Sequence, residues 1–216
     1  MNIALIPRAL LAEALGSLIL VATVVGSGIM AQRMASGNDA VALLGNTAAT
    51  AAVLYVLISI FGPISGAHFN PVVTLLLGER ADKLPYITAQ IIGALGGTIL
   101  AHAMFAVPLI QAGTHVRTGM PVWLGEFVAT FGLILTIMLG ERHRPAAIPA
   151  LVASWIVAGY WFTSSTSFAN PAVTLARALT DSFSGIRPID APGFILAQII
   201  GGSVAYYAAK WLAKPL

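Results

Sequence analysis

The sequence predicts an all-α membrane protein, with six membrane-crossing helices and two shorter re-entrant half-helices arranged as an inverted repeat. Three observations carry this expectation. Hydrophobic residues make up 58% of the 216 residues and charged residues 9%, where a soluble domain has roughly 25% charged. Six apolar stretches are long enough to cross a bilayer. Two shorter ones carry one motif twice, at a fixed offset.

The composition removes several classes at once. A chain with mean hydropathy +0.88 cannot cover a water-facing surface with charge, so disorder, a coiled coil and nucleic-acid binding are poor fits. Its net charge of +3 comes from eleven Lys and Arg against eight Asp and Glu, scattered along the chain, so no nucleic-acid partner is expected. With no cysteine, disulfides and thiolate metal sites are excluded. Residues 1–7 carry no basic side chain, and Glu13 interrupts the apolar run after Arg8; this is read as the start of a mature span and not as a cleavable signal.

In chain order, a bilayer core about 30 Å thick needs roughly 20 apolar residues per helix. The stretches at about 9–30, 41–61, 84–107, 121–140, 147–165 and 191–213 meet that length. Charges fall between them, at Arg33 and Asp39, at 79–83, Arg117, 141–144 and 181–190, and at Lys210 and Lys214. A β-barrel would show alternating segments of about 10 residues instead. The apolar segments at about 69–78 and 169–180 are too short to cross and are read as re-entrant. Six spans put both termini on one side. That side holds Arg8, Arg80, Lys83, Arg142, Arg144, Lys210 and Lys214, seven basic residues against Arg33, Arg117 and Arg187 opposite, so the termini are expected in the cytoplasm.

The halves repeat each other. His68-Phe69-Asn70-Pro71-Val72-Val73-Thr74-Leu75 returns as Phe168-Ala169-Asn170-Pro171-Ala172-Val173-Thr174-Leu175, offset by 100. Ala89-Gln90-Ile91-Ile92-Gly93 returns as Ala197-Gln198-Ile199-Ile200-Gly201, offset by 108, and Ala12-Glu13 answers Gly125-Glu126, offset by 113. Residues 1–109 therefore form a first repeat and 121–216 a second, joined by 110–120, together one channel domain. Three spans per half is odd, so the second half is inverted, an arrangement that places a solute site at the midplane interface.

Asn-Pro is a good helix start, because Asn caps and Pro occupies a first position that needs no N–H. The residues just before each Asn lie outside the helix, and such backbone survives at membrane depth only inside protein or along a wet cavity. Gly66, Ala67 and His68, with Thr166, Ser167 and Phe168, are thus expected to offer carbonyls to a pore. Two positive helix ends and two Asn amides then meet at the centre, which admits a neutral hydrogen-bonding solute and repels cations. Glu13 and Glu126 are costly inside a span. They are read as structural carboxylates that accept the N–H groups of the re-entrant loops, with a proton relay as the alternative.

These two Asn-Pro boxes, with their Ala-Glu and Ala-Gln flanks, resemble the major intrinsic protein family of aquaporins and aquaglyceroporins, over about residues 8–213. The resemblance implies an aquaporin-like fold, a homotetramer with one pore per protomer, and passive passage of water or small uncharged solutes. Val72 stands where that family usually has Ala. The family's spacing implies a constriction at Thr50, Ala158, Ser167 and Val173, whereas most members carry Arg at the last of these positions. A wide, weakly polar opening without aromatics is similar to that of the aquaglyceroporin-like channels associated with bacterial arsenic resistance. Glycerol-like polyols, undissociated arsenite, methylated arsenicals and water are the permeants this implies, in a bacterial inner membrane and without a cofactor. The runner-up is an ordinary water channel; an ion-coupled carrier would have to use the two Glu.

Arg177 stands one turn beyond Val173 and is expected to face the vestibule, to reach the interface, or to pair with Asp181. His68 resembles a pore-lining vestibule residue. His102 reads as a core histidine, and His115 and His143 form no metal-spaced cluster. Gly93, Gly96, Gly97, Gly201 and Gly202 suit close helix crossings. Tyr160, Trp161 and Phe162 read as packing, with Tyr160 or Trp161 able to turn toward the pore. No hydrolase or nucleotide-binding motif is present.

Overall fold

A computed structural model describes residues 6–79 and 82–214. Arg80, counted above among the basic residues of the terminal side, lies outside the described residues, as does the opening stretch 1–5. The elements run α1 (Ile6–Met34), α2 (Asp39–Ser65), α3 (Pro71–Leu77), α4 (Lys83–Met104), α5 (Met120–His143), α6 (Ile148–Phe162), α7 (Pro171–Arg177) and α8 (Ala191–Leu212). Short 3₁₀ turns at Pro145–Ala147 and Pro188–Asp190 precede α6 and α8. Six of these helices are long and apolar enough to cross a membrane. The chain is an all-helical, multi-pass membrane protein.

The short helices are seven residues each, about 10 Å at 1.5 Å per residue, a third of the bilayer core. Their starts follow from the cap. Asn70 Oδ1 accepts from Val72 N at 2.9 Å, and Asn170 Oδ1 accepts from Ala172 N at 3.0 Å. Residues 178–180, expected to extend the second half-helix, instead leave it. Ser and Thr side chains there hydrogen-bond one another (Thr180 Oγ1 to Ser182 Oγ, 3.0 Å), the local competition that ends helices.

Packing is paired across the halves. Helix α1 lies against α4 and α2, α5 lies against α8 and α6, and α2 meets α6 between them, while α3 and α7 fill the centre. Close approach depends on glycine. A methyl added at Gly93 would sit 2.1 Å from Ala14 O, and one at Gly201 2.3 Å from Phe127 O, so the backbones of these crossing helices touch. Outward, large apolar side chains such as Leu11, Ile92, Ile200 and Trp211 are exposed. In a bilayer they face acyl chains.

Val72 has a physical complement. It is 1% exposed and packs with Ile134 and Ala205, and a methyl at Gly202 would lie 2.6 Å from its Cγ1. The missing Cβ at 202 makes the room that the branched side chain at 72 takes. Gly202→Ala is therefore expected to destabilise by about 1–3 kcal/mol through overpacking, lowering the melting temperature of the detergent-solubilised protein. Adding Val72→Ala should restore most of the loss, and a melting temperature that falls further in the double variant would contradict this pairing.

A candidate pore between the two half-helices

Each half closes its re-entrant loop on a buried carboxylate. Glu13 and Glu126 are fully buried. Glu13 Oε1 accepts from Ser65 Oγ (2.6 Å) and His68 N (2.9 Å), and its Oε2 accepts from Phe69 N and Gln90 Nε2 (both 2.7 Å). Glu126 repeats the pattern, accepting from Phe168 N (2.8 Å), Ala169 N (2.9 Å) and Gln198 Nε2 (2.6 Å). The same two Gln side chains also donate to Thr74 Oγ1 and Thr174 Oγ1. The loops need this support. Ala67, Phe69, Thr166, Ser167 and Ala169 all hold positive φ, between 48° and 61°, a left-handed conformation that costs a non-glycine residue roughly 1–2 kcal/mol.

The two halves are then tied at the centre. Asn70 Nδ2 donates to Ala169 O at 2.7 Å, and Asn170 Nδ2 donates to Phe69 O at 2.8 Å. Each Asn thus spends its oxygen on its own half-helix and one N–H on the opposite loop. Its second N–H remains. Both Asn residues are at least 94% buried and both line a single cavity of about 200 Å³.

That cavity extends from Glu141 and Ile148 at one end to Arg177 at the other. Its wall includes Gly66, Ala67, His68, Ser167, Phe168, Thr50 and Val173. His68 Nδ1 lies 3.1 Å from Thr74 Oγ1, which fixes the ring beside the wall. Pro71, Val72, Pro171 and Ala172 are buried behind the Asn pair.

Two expected wall residues lie elsewhere. Ala158 is exposed on the outer surface of α6; Ile156 and Tyr160, on either side of it in sequence, line the cavity. Two residues turn a helix by about 200°, so a spacing counted back across the 163–169 loop lands on the opposite face. Tyr160 therefore brings an aromatic ring to a constriction expected to have none, the turn toward the pore that the sequence left open to it. It is 4% exposed, and its hydroxyl donates to Thr50 Oγ1 across a long 3.4 Å. Trp161 and Phe162 are exposed on the outside. Thr166 also is not among the residues that line the cavity; its Oγ1 accepts from Arg117 Nη1 at 3.4 Å.

Arg177 neither reaches the interface nor pairs with Asp181. It is 2% exposed, donates through Nε to Ser184 O and stacks on Phe168 with its guanidinium carbon 3.4 Å from the ring centroid. Asp181 instead accepts from Thr114 Oγ1 at 2.6 Å. A second cation, Arg117, approaches the same ring at 5.2 Å. Three of its nitrogens are occupied: Nε donates to Gly185 O, Nη1 to Ser165 O, and its backbone N to Asp190 Oδ2. This braces the α4–α5 loop over the end of the cavity.

Sequence reasoning missed the brace of Arg117 and the roles of Gln90 and Gln198; Tyr160, read there as packing able to turn toward the pore, does line the cavity. The Gln pair was visible as half of a repeat, and a buried amide repeated beside a repeated carboxylate was the available signal. His102 is a core residue, with its ring nitrogens 2.9 Å from Leu109 O and 2.8 Å from Thr180 Oγ1. Among the described residues, no three His, Cys, Asp or Glu side chains are placed to hold a metal.

Residues 3–166 match the major intrinsic protein family. The chain is 52% identical to the aquaglyceroporin AqpS of Rhizobium meliloti (strain 1021), over 96% of this chain and 91% of that one. It is 30% identical to the aquaporin AqpM of Methanothermobacter marburgensis, over 94% and 96% of the two chains. The solved aquaglyceroporin of Plasmodium falciparum superimposes with a TM-score of 0.75 over 96% of this chain and 97% of that one, at 19% identity; at that identity it speaks to the fold alone.

Proposed function

The chain belongs to the major intrinsic protein family, a family of channels and not of enzymes, and from that premise we propose that it is a passive pore for water and glycerol-sized uncharged solutes. Undissociated arsenite, a compact molecule with three hydroxyls, belongs to the same range. One observation carries the proposal: two Asn amides from opposite halves share one cavity between apolar walls. Such a cavity offers a neutral solute donors to replace lost water. A cation beside the Asn pair, away from Glu141 at the cavity's end, receives no compensating charge and pays its full desolvation.

The buried carboxylates argue against a coupled carrier. Each holds loop N–H groups at 2.7–2.9 Å, and binding a proton would break the loops they support. The protein is expected to work as a homotetramer in a bacterial inner membrane, with termini in the cytoplasm as the basic residues favour. Reconstituted in liposomes, it should give solute flux that rises linearly with the gradient and ignores an imposed pH gradient. Saturating, pH-driven uptake would establish a carrier.

Val173 sets the width beside Ser167. It lines the cavity and is 6% exposed, so Val173→Arg puts a long guanidinium into space now open to solute. Glycerol and arsenite permeability should fall at least about tenfold, equal to about 1.4 kcal/mol of barrier. Water should fall far less, because single-file water needs less width. Stopped-flow swelling at matched protein levels tests this, and an unchanged glycerol-to-water ratio would rule out Val173 as a size determinant.

A further inference from the structure

A second cleft, of about 340 Å³, lies where α1 and α4 end, and none of its lining residues lines the central cavity. Its volume falls within the range of small-molecule sites. All nine lining residues except Ile29 and Val107 carry polar side chains, so it suits a water-soluble ligand. The floor is closed on itself. His102 and Thr180 are fully buried and Ser182 is 5% exposed. Thr180 Oγ1 lies 2.8 Å from His102 Nε2 and 3.0 Å from Ser182 Oγ, while His102 Nδ1 lies 2.9 Å from Leu109 O. These contacts satisfy the floor and hold the segment after α7 against the end of α4.

The rim is different. Four side chains there keep hydrogen-bonding capacity that no other described residue takes up, and they sort by kind. Gln32 Oε1 accepts from Phe183 N at 3.0 Å, which commits its oxygen and leaves its NH₂. Arg33 spends Nη2 on Phe105 O at 3.2 Å and rests 5.2 Å over the Phe105 ring; its Nε and Nη1 remain. These two donors come from the end of α1. The loops supply the acceptors. Gln111 Nε2 donates to Pro108 O at 3.0 Å, which commits its nitrogen and leaves its oxygen. Asp181 Oδ1 accepts from Thr114 N at 3.2 Å and Thr114 Oγ1 at 2.6 Å, and Oδ2 remains. Arg33 and Asp181 are opposite charges on one cleft, yet they do not pair: among the described residues the one side-chain ion pair is Arg187 with Asp190. Phe105 holds one pole and Thr114 the other, so the two stay apart.

We propose that this cleft binds a small water-soluble zwitterion of the amino-acid type, with its carboxylate on Gln32 and Arg33 and its ammonium on Asp181 and Gln111. A carboxylate accepts from a guanidinium and from an amide NH₂, and an ammonium, with three donors and no acceptor, needs only oxygens. A ligand with a single charge leaves one pole unanswered. A neutral solute gains no charge-assisted bond between ions at either pole. The proposal does not depend on what the central cavity conducts.

The test is titration calorimetry of the full-length protein in a non-ionic detergent with glycine, β-alanine and γ-aminobutyrate, against propionate and propylammonium as single-charge controls. At least one zwitterion should bind saturably and about tenfold more tightly than either control, the cost of one lost charge-assisted bond. Arg33→Gln and Asp181→Asn should each weaken that zwitterion about tenfold. Asn keeps an oxygen for Thr114, and neither residue lines the central cavity, so native water flux in proteoliposomes should show both variants to be folded. No saturable binding of any of the three zwitterions overturns the proposal, as do controls that bind equally well; both readings use the unmodified protein and need no variant. Unchanged affinity in Arg33→Gln and Asp181→Asn overturns it as well. Phosphatidylethanolamine that copurifies with the native protein and is lost from both variants would give the cleft to a lipid headgroup and overturn the soluble ligand.

Discussion

Glu13→Gln is expected to remove most of the folded protein from the membrane. The carboxylate accepts four hydrogen bonds, two at each oxygen, from Ser65 Oγ, His68 N, Phe69 N and Gln90 Nε2. A Gln amide keeps one oxygen and turns an NH₂ toward two of those donors, in whichever orientation it settles. Two charge-assisted bonds are lost, at about 1.5–3 kcal/mol each, and at least one loop N–H is left facing another donor. About 3–6 kcal/mol is a large part of the stability of an ordinary domain. Glu126→Gln should do less harm. Glu126 accepts three such bonds, because Ser165 turns its hydroxyl toward Thr163 and not toward the carboxylate. Folded yield by fluorescence-detected size exclusion should therefore rank the native protein first, Glu126→Gln next and Glu13→Gln last. Equal, near-native yields with altered proton coupling would return these residues to the relay reading.

The sequence shows this much of the site because the chemistry is local. Asn-Pro states its own cap and helix start, and the 7-residue half-helices begin at Pro71 and Pro171. A carboxylate in an apolar run has to find donors, and the loop N–H groups are the ones left over by the helix starts. What escapes the sequence depends on helix phase and on contacts between halves. Ala158 and Tyr160 differ by two positions and face opposite ways, a matter of about half a helical turn that counting through a loop does not resolve. For Arg177 the local i,i+4 rule points to Asp181. The turn at Ser182–Gly185 (Gly185 N to Ser182 O, 2.8 Å) brings the Ser184 carbonyl under the guanidinium instead, and Asp181 is taken by the α4–α5 loop. No spacing in the sequence announces that the amide of Asn70 will end on the carbonyl of Ala169.

Those crossed amides carry the largest expected loss of function. In Asn70→Asp an oxygen replaces the Nδ2 that now donates to Ala169 O at 2.7 Å, so a carboxylate would set two acceptors against each other. The new side chain can relieve the clash by taking a proton and donating it to the carbonyl. It then has no second hydrogen for the cavity. If it stays charged instead, it offers the solute only acceptors and attracts cations to the centre of the path. In both cases a neutral solute loses a donor at the centre, where water cannot replace it. Water and glycerol permeability should fall at least about tenfold, or about 1.4 kcal/mol. Asn170→Asp should match it, since Asn170 Nδ2 makes the mirror-image bond to Phe69 O at 2.8 Å. The charged form should also reveal itself as a methylammonium leak that grows as the pH of the bath is raised. Liposome swelling at matched protein levels decides the main point. Native flux in both variants would take the Asn pair out of the permeation path, and the cavity between the half-helices with it.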